Sequence, residues 1–225
     1  MADMPKSSGH GSHAAALGAV AARVSLRPVV FVLDDDPSVR EALSSLLASA
    51  GMQVATFGSA AEFLKARVPN SPNCLILDLQ LPDISGLDLQ RELAEAEGPP
   101  IVFISGHGDI PSSVRAIKAG AIEFLPKPFS DLELLAAIDS AIAKDREVRQ
   151  GRAEMADIRR DYGRLSARER EVLPLIVAGH TNKLTASKLG IAEITVQVHR
   201  AQIMRKMAAQ SVPDLVRMAG KLGIA

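Results

Sequence analysis

Between Val29 and about Lys144 the chain alternates short, continuous apolar runs with stretches whose apolar residues recur at helical spacing. The runs are VVFVL, MQVATF, CLILDL, IVFIS and AIEFL; between and after them lie SVREALSSLLASAG, SAAEFLKARV, GLDLQRELAEAE, PSSVRAIKAG and DLELLAAIDSAIAK. A run that is apolar at every position, not every second one, belongs to a strand buried on both faces. The pattern therefore predicts a five-stranded parallel sheet covered by helices on both sides, a doubly wound α/β domain over residues 28–145. Gly51 and Gly120 stand where helix C-caps belong.

The pattern then changes. Residues 139–163 are highly charged and rich in helix formers, which predicts a helix that extends the last one of the sheet domain. Gly151 is a candidate break, and 146–163 a helical linker. Residues 164–225 carry helical spacing only. Ser166 followed by Glu169 fits a capping box at the start of ARERE, and TASKLG, TVQVHRAQIMRKM and PDLVRMAGKLG supply three more helices. An all-α four-helix domain follows. Residues 1–27, made of Gly, Ser, Ala and His with little pattern, read as a disordered extension in which His10 and His13 are solvated. AAALGAVAA lacks the basic flank of an export signal.

Composition sharpens this. No apolar run approaches the roughly 20 residues that cross a bilayer, so no membrane partner is expected. The lone Cys74, inside NCLILDL, reads as a small buried hydrophobe and suits a reducing cytoplasm. The net charge of zero conceals a polarity: residues 1–159 carry 15 Lys+Arg against 21 Asp+Glu, and residues 160–225 carry 11 against 5. The basic second part suits nucleic acid.

In an open α/β sheet, functional groups collect at the carboxyl ends of the strands. Here those ends hold Asp34 and Asp35 after the first strand, Asp78 on the third, Ser105 on the fourth and Lys127 after the fifth. Three carboxylates at one edge repel unless a cation joins them. A hard divalent ion with oxygen ligands and retained waters is Mg²⁺. Asp35, Asp78 and the backbone carbonyl of Gln80 are the candidate direct ligands, with Asp34 acting through water. Asp36, followed by Pro37, belongs to the first turn of a helix, where an acid favours the dipole. One carboxylate beside a metal and a lysine suits an aspartyl nucleophile that accepts a phosphoryl group, and Asp78 is that residue.

The motifs LDDD, LILDLQLPDISG, ISGHGD and FLPKPF, with Asp35 and Asp78 separated by 43 positions, resemble the receiver domain of two-component response regulators. The resemblance implies a flavodoxin-like sheet order and phosphorylation of Asp78 by a sensor histidine kinase. It also implies a switch in which Ser105 turns toward the phosphoryl group and the aromatic on strand five, Phe124, turns inward. Phe124 lacks the hydroxyl of the tyrosine often found there, so its readout is packing. His107, in GHGD, is expected to shape the loop beside the site.

The motifs LSAREREVL, VAGHTNK, LGI and TVQVHRAQIMRKM resemble the output domain of LuxR/FixJ-type regulators, a helix-turn-helix module. The resemblance implies double-stranded promoter DNA as partner, a homodimer when phosphorylated, RNA polymerase as a further partner, and control of transcription, more in keeping with activation than repression. In the recognition helix, from about Glu193 to Met207, Ile194, Val198, Ala201, Met204 and Ala208 read as an apolar stripe. Thr195, Gln197, His199, Arg200, Arg205 and Lys206 read as the polar face. Gln197 suits adenine and Val198 a thymine methyl; Lys183, Arg200 and Lys206 suit phosphates. His199 has two readings, a phosphate contact or packing within the domain. Ala192 replaces the family's Ser or Thr cap, worth about 1 kcal/mol, and Thr185 stands where Ile is usual. Two other functions stay open: a constitutive DNA binder, and a phosphate-sink or protein-interaction receiver. No external-substrate enzyme motif is present.

Overall fold

The structure is a computed structural model that describes residues 27–106 and 110–224. The expectations for the N-terminal extension, His10, His13 and His107 lie outside the described residues. Contacts divide the chain into two compact units, with the division between Asp145 and Arg146.

In the first unit five strands form one parallel sheet: β1 (Val29–Leu33), β2 (Gln53–Phe57), β3 (Asn73–Asp78), β4 (Ile101–Ser105) and β5 (Glu123–Pro126), in the order β2-β1-β3-β4-β5. The helices between them are α1 (Pro37–Ser49), α2 (Ala60–Lys65), α3 (Gly86–Glu95) and α4 (Ile110–Lys118), and α5 (Asp131–Gly163) follows β5. Residue parity sorts the core. Val30, Val32, Cys74, Ile76, Val102 and Ile104 pack with Leu43 and Leu47 of α1 and Leu134 and Ile138 of α5. Their strand neighbours Phe31, Leu33, Leu75, Leu77 and Phe103 pack with Phe63, Leu89, Leu93 and Ala116 from α2, α3 and α4. The two-residue period of a strand thus fills both layers, and β3, inside the sheet, is buried at every position. Gly51 and Gly120 take positive φ after α1 and α4, as their positions predict.

Cys74 is fully buried, and desolvation first, then the charges of Asp145 and Asp139, pushes its thiol up to about 12. It is a core residue, as expected.

The second unit contains the later part of α5 with α6 (Ala167–Val177), α7 (Asn182–Leu189), α8 (Glu193–Lys206) and α9 (Val212–Lys221). Two sequence readings change here. Gly151 does not break α5, which runs on to Gly163. The cost of one glycine in a helix, about 1 kcal/mol, is small beside the tertiary packing that holds the element. Nor is the segment before residue 164 only a linker: Ile158 and Tyr162 join Leu165, Val172, Leu173, Ile203 and Leu215 in the second core. Arg217 and Lys221 of α9 also pair with Glu154 of α5. The capping box of α6 is formed, with the Ser166 amide donating to Glu169 Oε2 at 2.7 Å and the Glu169 amide to Ser166 Oγ at 3.3 Å.

Among the described residues no helix is long and apolar enough to cross a membrane.

Candidate functional site

The register Leu33↔Leu77 between β1 and β3 sets the next residues, Asp34 and Asp78, side by side at the carboxyl end of the sheet. Both carboxylates are almost buried. Lys127, arriving one residue after β5, closes the gap: its Nζ donates to Asp34 Oδ2 at 2.7 Å and to Asp78 Oδ1 at 2.9 Å. Burial alone would lower the lysine's pKa. The hydrogen bonds to Asp34 and then Asp78, with the charge of both, outweigh it and hold the ammonium above its ordinary value. The remaining carboxylate oxygens are also oriented. Asp34 Oδ1 accepts from the Asp36 amide at 2.9 Å, and Asp78 Oδ2 from the Gln80 amide at 2.7 Å. Lys127 is fixed through its backbone as well, its amide donating to the Ser105 carbonyl at 2.7 Å.

The three consecutive acids thus have three fates. Asp34 turns inward to the lysine. Asp35 stays exposed at the rim. Asp36 is the N-cap of α1 and accepts from the Ser38 amide at 2.8 Å, one place before the helical turn predicted for it. Ser105 is buried at the end of β4. Phe124 is half-buried and stacks on Phe103 with ring centroids 6.0 Å apart.

Two residues that shape this edge were not singled out in the sequence. Arg40 Nη1 donates to the carbonyls of Asp34 at 2.7 Å and Asp35 at 2.9 Å, tying the acidic turn to α1. Asp83, in the loop after β3, accepts from the Ala61 amide at 2.9 Å and the Ala60 amide at 3.3 Å. The Ala61 bond, opposed by burial and helped by the Ala60 bond, holds its carboxyl below the ordinary value. An acid at the start of a neighbouring helix is favourable, but no local pattern announces a bond between residues 22 positions apart. Gly86 completes the loop. A Cβ there would lie 2.5 Å from the Asp78 carbonyl oxygen, so only glycine allows α3 to start this close to β3.

Among the described residues no three His, Cys, Asp or Glu side chains stand ready as a metal cage. Mg²⁺ does not need one, since it keeps several waters and takes one or two carboxylates. Asp78, the Gln80 carbonyl and the exposed Asp35 are hard oxygen donors, and the site holds three carboxylates against one ammonium. The residues fit the ion.

In the second unit the structure rotates the face assigned to α8. Val196, Ile203 and the following Met207 are buried, and Ile194 and Val198 are 65% and 52% exposed. Of the stripe read from Ile194, Val198, Ala201, Met204 and Ala208, Met204 packs against the second core but the other four are exposed, so the stripe is not the core face. Ile194, Gln197, Val198, Ala201 and Arg205 instead share the exposed side at i, i+3, i+4, i+7 and i+11. The polar residues divide too. Gln197 and Arg205 are exposed, as is Lys183 on α7, whereas Thr195, His199, Arg200 and Lys206 are half-buried. Lys206 Nζ pairs with Glu169 Oε2 at 2.6 Å, so its charge is compensated within the unit, whereas Arg200 donates only one Nη1 bond, to the neutral His180 carbonyl at 3.3 Å. Ala192 caps α8 with no side-chain bond, and Thr185 is fully buried with an unpaired hydroxyl; both follow from the departures noted in the sequence.

An acidic edge bridged by a lysine on a five-stranded parallel sheet, joined to a helical unit presenting one exposed helix face, is the arrangement of a receiver domain coupled to a DNA-binding domain. Residues 30–139 match the response regulator receiver domain family, and residues 164–219 match the bacterial regulatory proteins of the luxR family. The chain is 47% identical over 201 residues to nodulation protein W of Bradyrhizobium diazoefficiens, covering 89% of this chain and 88% of that one. It is 49% identical over 195 residues to the response regulator protein TodT of Pseudomonas putida, covering 86% of each. The solved structure of response regulator StyR matches with a TM-score of 0.78 at 49% identity, covering 87% of this chain and 99% of that one. The chain belongs to the two-component response regulators that join a receiver domain to a LuxR-type DNA-binding domain, and its function is phosphorylation-controlled regulation of transcription.

Proposed function

We propose that Asp78 is the phosphoacceptor. The observation that carries this reading is the bridge of Lys127 to both Asp34 and Asp78. It holds Asp78 beside an ammonium able to neutralise the incoming phosphoryl oxygens. A carboxylate oxygen of Asp78 attacks the phosphorus of a phosphohistidine on the sensor kinase. An acyl–phosphate bond forms, the phosphorus–nitrogen bond breaks, and the electron pair leaves with the imidazole, which takes a proton. Lys127 passes from the Asp78 oxygen to the new phosphoryl group without leaving Asp34. Asp35, Asp78 and the Gln80 carbonyl would hold Mg²⁺, with Asp34 acting through water; the ion supplies charge neutralisation at the phosphoryl oxygens.

The phosphoryl group then draws the Ser105 hydroxyl toward it, and Phe124 repacks against Phe103. This biases the receiver toward a state that dimerises and presents two output units to promoter DNA. Residues 28–145 form the receiver, 146–163 the connecting helix and 164–225 the output domain, acting in the cytoplasm with RNA polymerase as a further partner. On α8, Gln197 and Val198 meet base edges, and Arg205 and Lys183 meet phosphates. Thr195 and His199 flank that face. Arg200 keeps its charge for a phosphate, whereas Lys206, paired with Glu169, supports the face from within and contributes little to salt dependence.

The test compares sedimentation and specific DNA binding of the full chain with Mg²⁺, with and without beryllofluoride, alongside Asp78→Ala. Dimerisation and tighter binding with the mimic, both abolished in Asp78→Ala, support the reading. Equal binding throughout would make the chain a constitutive DNA binder, and dimerisation with no DNA response would make it a phosphate sink or interaction module.

A further inference from the structure

A cavity in the first unit lies away from the acidic edge. It lies between α3 and α4, has a volume of about 720 Å³, and is lined by Asp88, Gln90, Arg91, Arg115, Lys118 and Ala119 among others. That volume falls within the range of small-molecule sites. Its charge is one-sided. Three cations face one carboxylate, and Asp88 is already paired with Arg91. Arg115 donates to the neutral Ser112 hydroxyl at 3.1 Å, and neither Arg115 nor Lys118 has a carboxylate partner among the described residues. The two lie three positions apart on α4, so both reach the same side of the helix.

The groove wall is polar as well. Gln90, 3% exposed, donates its Nε2 to the Ala116 carbonyl at 3.0 Å and so joins α3 to α4, leaving its buried Oε1 unpaired. The groove lining carries three cations against the single carboxylate of Asp88 and so does not suit an apolar occupant. Ser85, Leu87 and Arg115 also line a second cavity of about 360 Å³ that includes Gln80. The groove therefore extends to the loop that follows Asp78.

We propose that the α3–α4 groove is a binding site for a small, multiply charged anion, recognised by Arg115 and Lys118 with Arg91 from the facing helix. An arginine fork and a lysine point charge both suit phosphate or carboxylate oxygens, so the chemistry is that of a polyphosphate or polycarboxylate. The site does not depend on Asp78 being the phosphoacceptor.

The experiment titrates the full chain, free of Mg²⁺, with inorganic tripolyphosphate in one arm and citrate in another. The readout is the NMR shift of the Gln90 side-chain amide and the Ala116 and Ala119 backbone amides, which separates this site from the basic output unit. Saturable shifts are expected with a dissociation constant below about 1 mM, a free energy of about −4 kcal/mol, and the arm that binds tighter identifies the anion class. Arg115→Ala combined with Lys118→Ala, both exposed positions, should weaken binding at least tenfold with unchanged thermal unfolding, and Asp78→Asn should leave it intact. Linear, unsaturated shifts in both arms, or equal affinity in the double variant, would overturn the proposal. So would loss of binding in Asp78→Asn, which would move the anion to the acidic edge.

Discussion

Glu169 is a buried acid of the output unit with two partners. It is 4% exposed, accepts from the Ser166 amide at 2.7 Å, and pairs with Lys206 Nζ at 2.6 Å. Glu169→Ala removes half of the capping box of α6 and leaves the half-buried ammonium of Lys206 without its partner. The cap costs about 1 kcal/mol, and a hydrogen bond to a charged group roughly 1.5–3 kcal/mol. The expected loss is therefore about 3 kcal/mol at neutral pH, at the low end of the roughly 3–5 kcal/mol of a fully buried broken pair because Lys206 retains some solvent.

The assay is unusually clean. The chain has one tyrosine and no tryptophan, so urea unfolding followed by the emission of Tyr162 reports on the second unit alone. The pH dependence has a definite sign. Burial would raise the Glu169 carboxyl; the bonds from Lys206 and Ser166 outweigh it and hold the group below its ordinary value of 4.5. In that interval the unfolded chain binds the extra proton, so the stabilisation is complete above 4.5 and disappears as pH falls through the lower, folded value. The gap between wild type and Glu169→Ala should close over the same interval. A gap under about 0.5 kcal/mol at pH 7, the usual scale for surface changes, or one that persists undiminished in acid, would refute this account.

Thr185→Val should stabilise the second unit by about 1 kcal/mol in the same urea assay, since it replaces a fully buried, unpaired hydroxyl with a methyl of equal size. Gly86→Ala should destabilise the first unit by roughly 1–3 kcal/mol, as overpacking does, and should slow phosphorylation by acetyl phosphate. Its Cβ meets the Asp78 carbonyl oxygen at 2.5 Å and the buried Phe103 ring at 3.1 Å, so unchanged melting and labelling would show that the loop relaxes freely. Cys74 should resist a disulfide reagent in the native chain at pH 8 and react in denaturant, because burial holds its thiol near 12; rapid native labelling would show that the sheet core opens.

The sequence alone determined the five strands, their parallel sheet and the acidic edge. The reason is that each strand is a short, uninterrupted apolar run, and parallel strands place their carboxyl ends together whatever the details of packing. It also determined the capping box at Ser166 and the two family resemblances. It did not determine which of the three acids turns inward, because that depends on the register Leu33↔Leu77, a pairing between segments 44 residues apart. Nor could it orient α8. That helix carries apolar residues on several sides, from Ile194 and Val198 to Val196 and Ile203, and only its packing against α6 and α7 selects the buried set. The same holds for cations. Arg40, Arg200 and Lys206 are written like any surface charge, yet each is bonded to a carbonyl or carboxylate of its own unit. Periodicity is a local property and reads directly from the chain, whereas the partner of a long side chain is a property of the folded surface and exists only once distant segments meet.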